Sequence, residues 1–337
     1  MADEINNEQE VQKKQVMLEK IAKKLEEYDQ LFKNDGITDS PEQQKIQSLK
    51  EEIQQALEKL SSVVSGDPVQ HGGEENIDGE VPSGDNFAGA KEIDVTKVKM
   101  ITKLFAEGSV DEYGDGISHD DVDQNWIGDC YFLSALAAVA KADPSAIEKL
   151  IDGPKSDGSY DVTLYEKGGF LYMSNNPTVI NVHPRTLEKD GRTTVGLGDG
   201  ELWVLLVERA FAEMNGGYDE IEGGHADDAL EVITGQDATT KRLSSMNNTE
   251  LVEFVQGHLD AKTPLTTSSI SADDGSKKAI AAGNSNVVLG HAYYIISISS
   301  SAITIRNPHN NTLPGGREVT LSFDDYRKFY YKISYLE

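Results

Sequence analysis

The sequence predicts an α+β protein in which a mainly helical part precedes a strand-rich part, behind a separate helical N-terminal region. Three observations predict this order. Apolar residues recur at helical spacing before residue 65, an Ala- and Leu-rich helical run extends from Cys130 to Ala142, and strand-like apolar runs dominate after Gly235. With 337 residues, the chain is long enough for two or three units with cores of their own.

Two amphipathic helices are expected in the N-terminal region, residues 1–65. Over 9–33, one apolar stripe is formed by Leu18, Ile21, Leu25, Tyr28 and Phe32. Over 41–64, apolar residues continue at heptad-like spacing, and the run Ser-Pro-Glu-Gln at the start supplies an N-cap, a first-turn proline and a capping box. The short turn between the helices leaves two alternatives. They form an antiparallel helical hairpin, or they form a coiled coil with a second copy or a partner helix through residues 9–64.

Residues 66–95 have the composition of an acidic, Gly-rich linker. They include eight acidic residues, six Gly and two Pro against one Lys, without a sustained apolar period. A domain boundary is therefore expected here, before a helical lobe at 96–235 and a strand-rich lobe at 236–337. The alternative to a solvated acidic run is contact with a partner.

Each lobe carries its own local signals. The helices expected in the first lobe are Cys130–Ala142, Ser145–Ile151 and Glu201–Met214. The strands expected in the second lobe are Val287–Ile298, Ala302–Arg306 and Val319–Phe323, with one helix at 248–258.

The net charge of −27, from 31 basic and 58 acidic residues, argues against nucleic acid and anionic lipid as partners and favours cationic ones, Ca²⁺ among them. No apolar stretch reaches the roughly 18–20 residues of a membrane span, and the N-terminus lacks the features of a secretory signal. A cytoplasmic location is expected, with export by a signal-independent route left open. The single cysteine, Cys130, excludes an internal disulfide.

Cys130 is the candidate nucleophile. The segment Gln124–Leu133 ends in a turn and starts the Ala-rich helix, so the thiol is expected at a helix N-terminus, where backbone N–H groups favour the reactive thiolate. Gly128 permits close approach of a substrate backbone, and Gln124 is placed to donate to the oxyanion formed on attack. A lone cysteine entering an apolar helix is more often a buried packing residue, so other residues must support the assignment.

His291 and Asn307 supply that support. His291 lies in an apolar strand, and Asn307 follows a second strand beyond a Ser-Ser-Ser turn. If the turn centres on Ser299, His291 pairs directly with Asn307 on one face, and Asn307 orients the imidazole while its other nitrogen takes the thiol proton. A slip of one residue would move one of the two to the opposite face. The other histidines are interpreted as surface or packing residues.

At five places in order, the sequence resembles the calpain-type cysteine proteases. The resembling segments are Gln124–Leu133, then Glu201–Trp203 with Asn215–Tyr218, Gly223–Gly224 and Thr234–Gly235, then Gly290–Tyr293, Arg306–Pro308 and Ser322–Tyr326. The resemblance covers about residues 96–337 and implies a papain-like two-lobe fold with the active site in the cleft between the lobes. It implies Cys130, His291 and Asn307 as catalytic residues. It also implies that Gly224 and Gly290 offer backbone groups to an extended substrate.

The resemblance further implies a regulatory Ca²⁺, not a catalytic one, in the helical lobe. Asp121 and Glu201 match the ligand positions, and Gly116 is a candidate carbonyl ligand. The alternative is that Asp121 belongs to a solvated acidic loop.

Two departures from the family pattern stand out. After Asn307 and Pro308, His309 and Asn310 replace the usual Trp-Gly, so the aromatic shield over the His-Asn hydrogen bond is expected to be missing. The short loop before Ser322 lacks obvious ligands for a second calcium ion.

The function expected from the residues and the resemblance is a cysteine endopeptidase that hydrolyses protein substrates through a thioester. The alternative belongs to a different class. In it, the core is a catalytically silent peptide-binding or scaffold module that works through the N-terminal helices.

Overall fold

The computed structural model describes residues 50, 87–99, 101–105, 116–166, 176–197, 200–271, 287–309 and 317–337. The chain divides into two compact units, Met1–Asn76 and Ile77–Glu337. The helices predicted at 9–33 and 41–64 lie outside the described residues, apart from Lys50, which is helical. Everything that follows concerns the second unit.

The first lobe, residues 87–235, combines helices with two small sheets. Its helices are α1 (Val95–Val98), α2 (Cys130–Ala142), α3 (Pro144–Glu148), α4 (Trp203–Asn215) and α5 (Ala226–Thr234). Its strands are β1 (Lys91–Asp94), β2 (Ile151–Asp152), β3 (Tyr160–Glu166), β4 (Asn176–Val182), β5 (Arg185–Lys189) and β6 (Arg192–Thr193). They pair in the orders β1-β5-β6 and β2-β3-β4.

These strands were not predicted. The sequence of β3 alternates between buried and partly exposed residues, which is the period of a half-buried strand and not of a helix. The first lobe is therefore less uniformly helical than the sequence indicated. In addition, the helix predicted at Ser145–Ile151 is shorter, because Pro144 opens α3 behind the Asp143 cap and Ile151 already belongs to β2.

The predicted linker also needs correction at its end. Strand β1 lies inside residues 66–95, where Phe87 and Ile93 are buried in the first-lobe core and Lys91 pairs with Glu188 of β5. The acidic composition concealed this strand, because Ile93 is the only large apolar residue within it. The described residues of the second unit thus begin at residue 87, inside the predicted linker.

Helix α2 forms the centre of the first lobe. Ten consecutive residues, from Tyr131 to Ala140, are buried, and the alanines among them allow neighbouring elements to approach on every side. Phe132 of α2 stacks on Phe211 of α4, with ring centroids 4.0 Å apart and planes nearly parallel. The start of α2, and with it Cys130, is held by this packing.

In the described residues of the second lobe, 236–271, 287–309 and 317–337, a six-stranded antiparallel sheet is accompanied by two α-helices. Its strands are β7 (Ala238–Arg242), β8 (Leu265–Ser269), β9 (Ala292–Ile298), β10 (Ala302–Arg306), β11 (Glu318–Ser322) and β12 (Tyr330–Leu336). They are arranged in the order β11-β10-β9-β8-β12-β7. The helices are α6 (Asn248–Asp260) and α7 (Phe323–Phe329). A separate apolar core, which includes Tyr293, Tyr326 and Tyr330, lies beneath them.

The predicted register of the β9-β10 hairpin is wrong. Ile298 pairs with Ile303, and after an irregularity between Thr304 and Ile305 the partner of Arg306 is Tyr294. The turn is closed by the N–H of Ser299, which donates to the carbonyl of Ala302, so it does not centre on Ser299. A bulge of this kind shifts the pairing without leaving a sequence signal, because any residue can occupy the extra position.

A loop of the first lobe, residues 118–124, joins it to the second lobe. His119 Nδ1 lies 3.0 Å from the Tyr294 hydroxyl, and Arg317 Nη1 donates to the carbonyl of Asp120 at 2.9 Å. Arg306 forms an ion pair with Asp120. The backbone N–H of Gln124 donates to the carbonyl of Pro308 at 2.8 Å.

Within the described part of the chain, no helix is long and apolar enough to cross a membrane.

Truncation of the stacked ring should destabilise the protein strongly. Phe211→Ala removes a buried ring and leaves a cavity beside Phe132, so the free energy of unfolding should fall by about 3–5 kcal/mol, measured by urea denaturation. The matched control is Val98→Ala, since Val98 is 59% exposed and its loss should cost less than about 0.5 kcal/mol. Equal stability of the two variants would contradict the central role of the stack.

Candidate active site

Cys130 is the first residue of α2, as the sequence predicted, and its side chain is half-buried. Burial raises the pKa of the thiol to about 11, and the neighbouring Asp129 acts in the same direction. Hydrogen bonds from backbone N–H groups, that of Ala292 first among them, oppose this rise. The cysteine is therefore a thiol at neutral pH, although backbone donors surround its sulfur.

His291 and Asn307 are in direct contact. His291 Nε2 lies 2.7 Å from Asn307 Oδ1, so Nε2 carries the proton and donates it, and Nδ1 of the neutral ring is left as the basic nitrogen. The backbone of His291 is fixed by Ser269, whose hydroxyl accepts from the His291 N–H at 2.9 Å. Asn307 is only 3% exposed, which shields the contact from water.

The protonation state of His291 follows from its surroundings. Burial lowers the pKa of the imidazole to about 4, the nearby His309 lowers it further, and the hydrogen bond to Asn307 opposes both. The ring is thus neutral above pH 4 in the absence of a substrate.

The backbone of Ala292 links the candidate nucleophile of the first lobe to the candidate base of the second lobe. Ala292 follows His291 directly, and its N–H donates to the sulfur of Cys130. The thiol of Cys130 therefore lies next to the residue that follows His291, although the hairpin register that suggested the His-Asn pair was wrong. The contact between His291 and Asn307 survives because Asn307 lies beyond the end of β10, outside the shifted ladder.

Gln124 is buried beneath the start of α2. Its Nε2 donates to the carbonyl of Ile127 at 2.7 Å and makes a longer contact of 3.4 Å with Asp129 Oδ1. The side-chain amide thus contacts the residues just before Cys130, and its role as an oxyanion donor stays a prediction. Its second N–H has only the longer contact, which is weak by distance.

Comparison with known proteins identifies the family. The sequence profile described as "Calpain family cysteine protease" matches residues 101–314, a span that contains Cys130, His291 and Asn307. The chain belongs to the calpain family. The predicted α+β, papain-like fold and the resemblance stated from the motifs are thereby confirmed.

Individual calpain relatives are distant and much longer. The chain is 28% identical over 202 residues to "Calpain-type cysteine protease DEK1" of Arabidopsis thaliana, which covers 57% of this chain and 9% of that protein. It is 27% identical over 204 residues to "Calpain clp-4" of Caenorhabditis elegans, covering 58% and 28%. It is 25% identical over 204 residues to "Calpain-9" of Mus musculus, covering 57% and 29%. The chain thus matches less than a third of the length of these calpains.

His309 is a site residue that the sequence analysis missed. Its ring centroid lies 5.9 Å from that of His291 at a tilt of 34°, and its backbone N–H donates to Asn307 Oδ1 at 2.9 Å. A ring therefore remains near the His-Asn contact where the calpain pattern has Trp, in contrast to the expected open site. Burial and the charge of Arg192 lower the pKa of His309. Its position immediately after the Asn motif was the available signal.

The three glycines assigned to substrate binding lie near the candidate nucleophile. Gly128 is exposed two residues before Cys130, and the N–H of Gly223 donates to its carbonyl at 2.9 Å. A Cβ on Gly224 would lie 2.4 Å from the Tyr131 ring, so only glycine fits against that ring. Gly290 has a left-handed φ of 64° directly before His291. Only backbone groups are thus presented at these three points.

The calcium candidates are brought partly together. Asp121 Oδ2 accepts from the Trp203 indole at 3.1 Å and from the N–H of Ser118 at 2.7 Å, and Trp203 is two residues from the buried Glu201. Carboxylate oxygens from separate segments suit the chemistry of Ca²⁺. Among the described residues, no three His, Cys, Asp or Glu side chains surround one metal position. A calcium ion here would therefore need carbonyl ligands, and Gly116 is a candidate.

Two buried acids lie behind Cys130. Asp129 and Glu208 are both 0% exposed, and Asp129 Oδ2 and Glu208 Oε1 have no hydrogen-bond partner. Burial raises the pKa of Asp129 to about 8 and that of Glu208 well above its usual range, and a charge on Asp129 would raise the latter further. At pH 7 the carboxyl of Asp129 is therefore mostly protonated, and it opposes a negative charge on the neighbouring sulfur only once it ionises at higher pH.

The buried proton on Asp129 should make stability depend on pH. Between the unfolded pKa of about 3.9 and the folded pKa of about 8, the folded protein holds a proton that the unfolded chain releases. This contribution to the free energy of unfolding is full below pH 4 and falls by about 1.4 kcal/mol per pH unit as the pH rises toward 8. In Asp129→Asn this contribution should be absent and the fall in stability correspondingly smaller, with the remainder coming from the raised pKa of Glu208, and urea denaturation at several pH values measures the difference.

Asp157→Asn is the control for this series. Asp157 has a pKa lowered by hydrogen bonds from Ser159, so its contribution is lost only as the pH falls into the acid range. The Asp157→Asn variant should leave the slope of the free energy of unfolding between pH 4 and 8 unchanged. Identical slopes for the wild type and Asp129→Asn would contradict the protonated state.

Proposed function

We propose that this calpain-family chain is a cysteine endopeptidase that hydrolyses protein substrates through Cys130, His291, Asn307 and Gln124. One observation carries the proposal. The Nε2–H of His291 donates to Asn307 Oδ1 at 2.7 Å while the N–H of the next residue, Ala292, reaches the Cys130 sulfur. The free Nδ1 of the oriented ring is the proposed base for Cys130, the only thiol in the sequence.

The reaction begins from a neutral pair. Because burial keeps the thiol and the imidazole uncharged between pH 4 and 11, the proton moves from sulfur to His291 Nδ1 as the sulfur attacks the substrate carbonyl. The new bond joins Sγ to the carbonyl carbon. The imidazolium that forms is stabilised by Asn307, whose Oδ1 accepts the Nε2 proton throughout.

The tetrahedral intermediate requires donors to its oxyanion. The backbone N–H of Cys130 and the Nε2–H of Gln124 that makes only the 3.4 Å contact with Asp129 are the proposed donors. His291 then gives its proton to the leaving amine as the C–N bond breaks. Water, deprotonated by the same imidazole, cleaves the thioester and restores the thiol.

Cleavage of denatured casein by the purified chain tests the nucleophile. Cys130→Ser replaces the thiol with a poorly acidic hydroxyl, so the cleavage rate should fall by at least about 10⁴-fold, to a level set by residual binding and oxyanion contacts. The rate is measured by release of fluorescent peptides from labelled casein.

A thiol-directed peptide electrophile provides the control. It should label the wild type at Cys130 and leave Cys130→Ser unlabelled, as mass spectrometry reports. Casein cleavage by Cys130→Ser at the wild-type rate would show that the nucleophile is misassigned. A wild type that neither cleaves nor is labelled would favour the silent binding module.

Regulation by calcium is the second part of the proposal. Asp121 and Glu201 supply carboxylate oxygens next to the start of α4, and an ion there would order the 118–124 loop, which carries Gln124 and contacts the second lobe. The ion would therefore act on the alignment of the lobes and not on the bond-breaking steps.

Removal of Ca²⁺ with a chelator tests whether casein cleavage depends on the ion. Casein cleavage by the wild type should fall at least tenfold when excess EGTA replaces millimolar Ca²⁺, on the scale of typical allosteric couplings. In Glu201→Gln the ratio should approach one, and the increase in melting temperature caused by Ca²⁺ should be lost. Equal wild-type cleavage rates with Ca²⁺ and with EGTA would contradict calcium regulation and leave the assignment of Cys130 as nucleophile unaffected.

A further inference from the structure

The loop between α4 and α5 places a carboxylate at the edge of the candidate cleft. The Glu222 side chain lies against Gly128, with its Cβ 3.6 Å and its Oε1 3.7 Å from the point where a Cβ on Gly128 would stand. Both residues are exposed, and Gly128 is two residues from Cys130. A substrate residue laid across Gly128 would therefore contact the Glu222 carboxylate.

The position of this loop is fixed on both sides of Cys130. The N–H of Gly223 donates to the carbonyl of Gly128 at 2.9 Å, two residues before the thiol. The backbone of Gly224 packs on the ring of Tyr131, the residue directly after the thiol. Glu222 is thus held beside the reacting centre and needs no large rearrangement to meet a substrate.

The charge around the loop is one-sided. Between Arg209 and Lys241 the sequence contains eight acidic residues and no Lys or Arg. Asp228 adds negative charge next to Tyr131. Asp129, in contrast, is buried and protonated, so the charged carboxylate in contact with Gly128 is that of Glu222. A cationic side chain is the complement of this surface.

We propose that Glu222 selects a lysine or arginine side chain in the substrate residue that lies over Gly128, next to the scissile bond. The inference rests on the proposed function, in which Cys130 attacks that bond. A basic side chain gains a charge-assisted contact with the carboxylate, whereas an acidic side chain is repelled. Because the carboxylate is exposed to solvent, the expected preference over a neutral side chain is about tenfold in kcat/KM.

A synthetic peptide library with randomised central residues tests the selection with the full chain. Cleavage sites identified by mass spectrometry should show Lys and Arg enriched at one position beside the cut bond. Glu222→Gln should lose this enrichment about tenfold, and Glu222→Lys should replace it with a preference for Asp and Glu. A peptide pair that differs only in lysine against norleucine then gives kcat and KM separately, and 0.5 M NaCl should weaken the preference.

Glu220→Gln is the matched control. It removes the same charge from the same loop, but the Glu220 side chain lies near Gly216, with its Cγ 3.9 Å from the position of a Cβ there, and not against Gly128. Its cleavage-site preference should equal that of the wild type. Melting temperatures of the three variants within a few degrees of the wild type show that the effects come from the site.

The outcomes separate the inference from the function on which it rests. Wild-type cleavage without enrichment of basic residues, or enrichment that persists in Glu222→Gln, would overturn the inference and leave the peptidase intact. If Glu220→Gln lost the preference for basic residues to the same extent, the preference would come from the overall negative charge of the loop. The specific role of Glu222 would then also be overturned. A wild type that cleaves no peptide would overturn both.

Discussion

The candidate site depends on one backbone hydrogen bond between the lobes, from the N–H of Gln124 to the carbonyl of Pro308 at 2.8 Å. Gln124 leads into the turn that carries Cys130, and Pro308 directly follows Asn307. The bond therefore sets the first-lobe donor and thiol against the second-lobe His-Asn pair. The ion pair of Arg306 with Asp120 and the contact of His119 with Tyr294 support the same junction. Proton transfer requires this alignment to a few tenths of an ångström.

Burial is the second constraint on the site. It keeps the thiol of Cys130, the imidazole of His291 and the carboxyl of Asp129 uncharged at neutral pH. In the proposed mechanism, charge is created only when Cys130 attacks a substrate, in a buried region where few water molecules compete for the donors. The exposed carboxylate of Glu222 lies outside this buried region, so the proposed substrate selection and the proposed bond cleavage use different electrostatic environments.

Much of this arrangement was predictable from the sequence, for definable reasons. The bounds of α2 follow from its turn and its Ala-rich run, and the pairing of His291 with Asn307 from motifs around each. The strand β3 was missed because the strong helical signals in residues 96–235 dominated the prediction there, and the alternation of buried and partly exposed residues in β3 was overlooked. The β9-β10 bulge leaves no residue signature. The ring of His309 and the carboxylate of Glu222 acquire meaning only when the fold brings them to His291 and Gly128.

The close contact between Gly224 and Tyr131 has a consequence for divergence within such enzymes. Because a side chain at 224 would overlap the ring, the path of the loop is fixed by packing and not by the identity of residue 222. An exposed residue on a fixed backbone tolerates replacement at little cost in folding. If residue 222 selects substrates as proposed, mutation at this single codon offers a lineage new protein targets while the proposed catalytic residues are inherited unchanged.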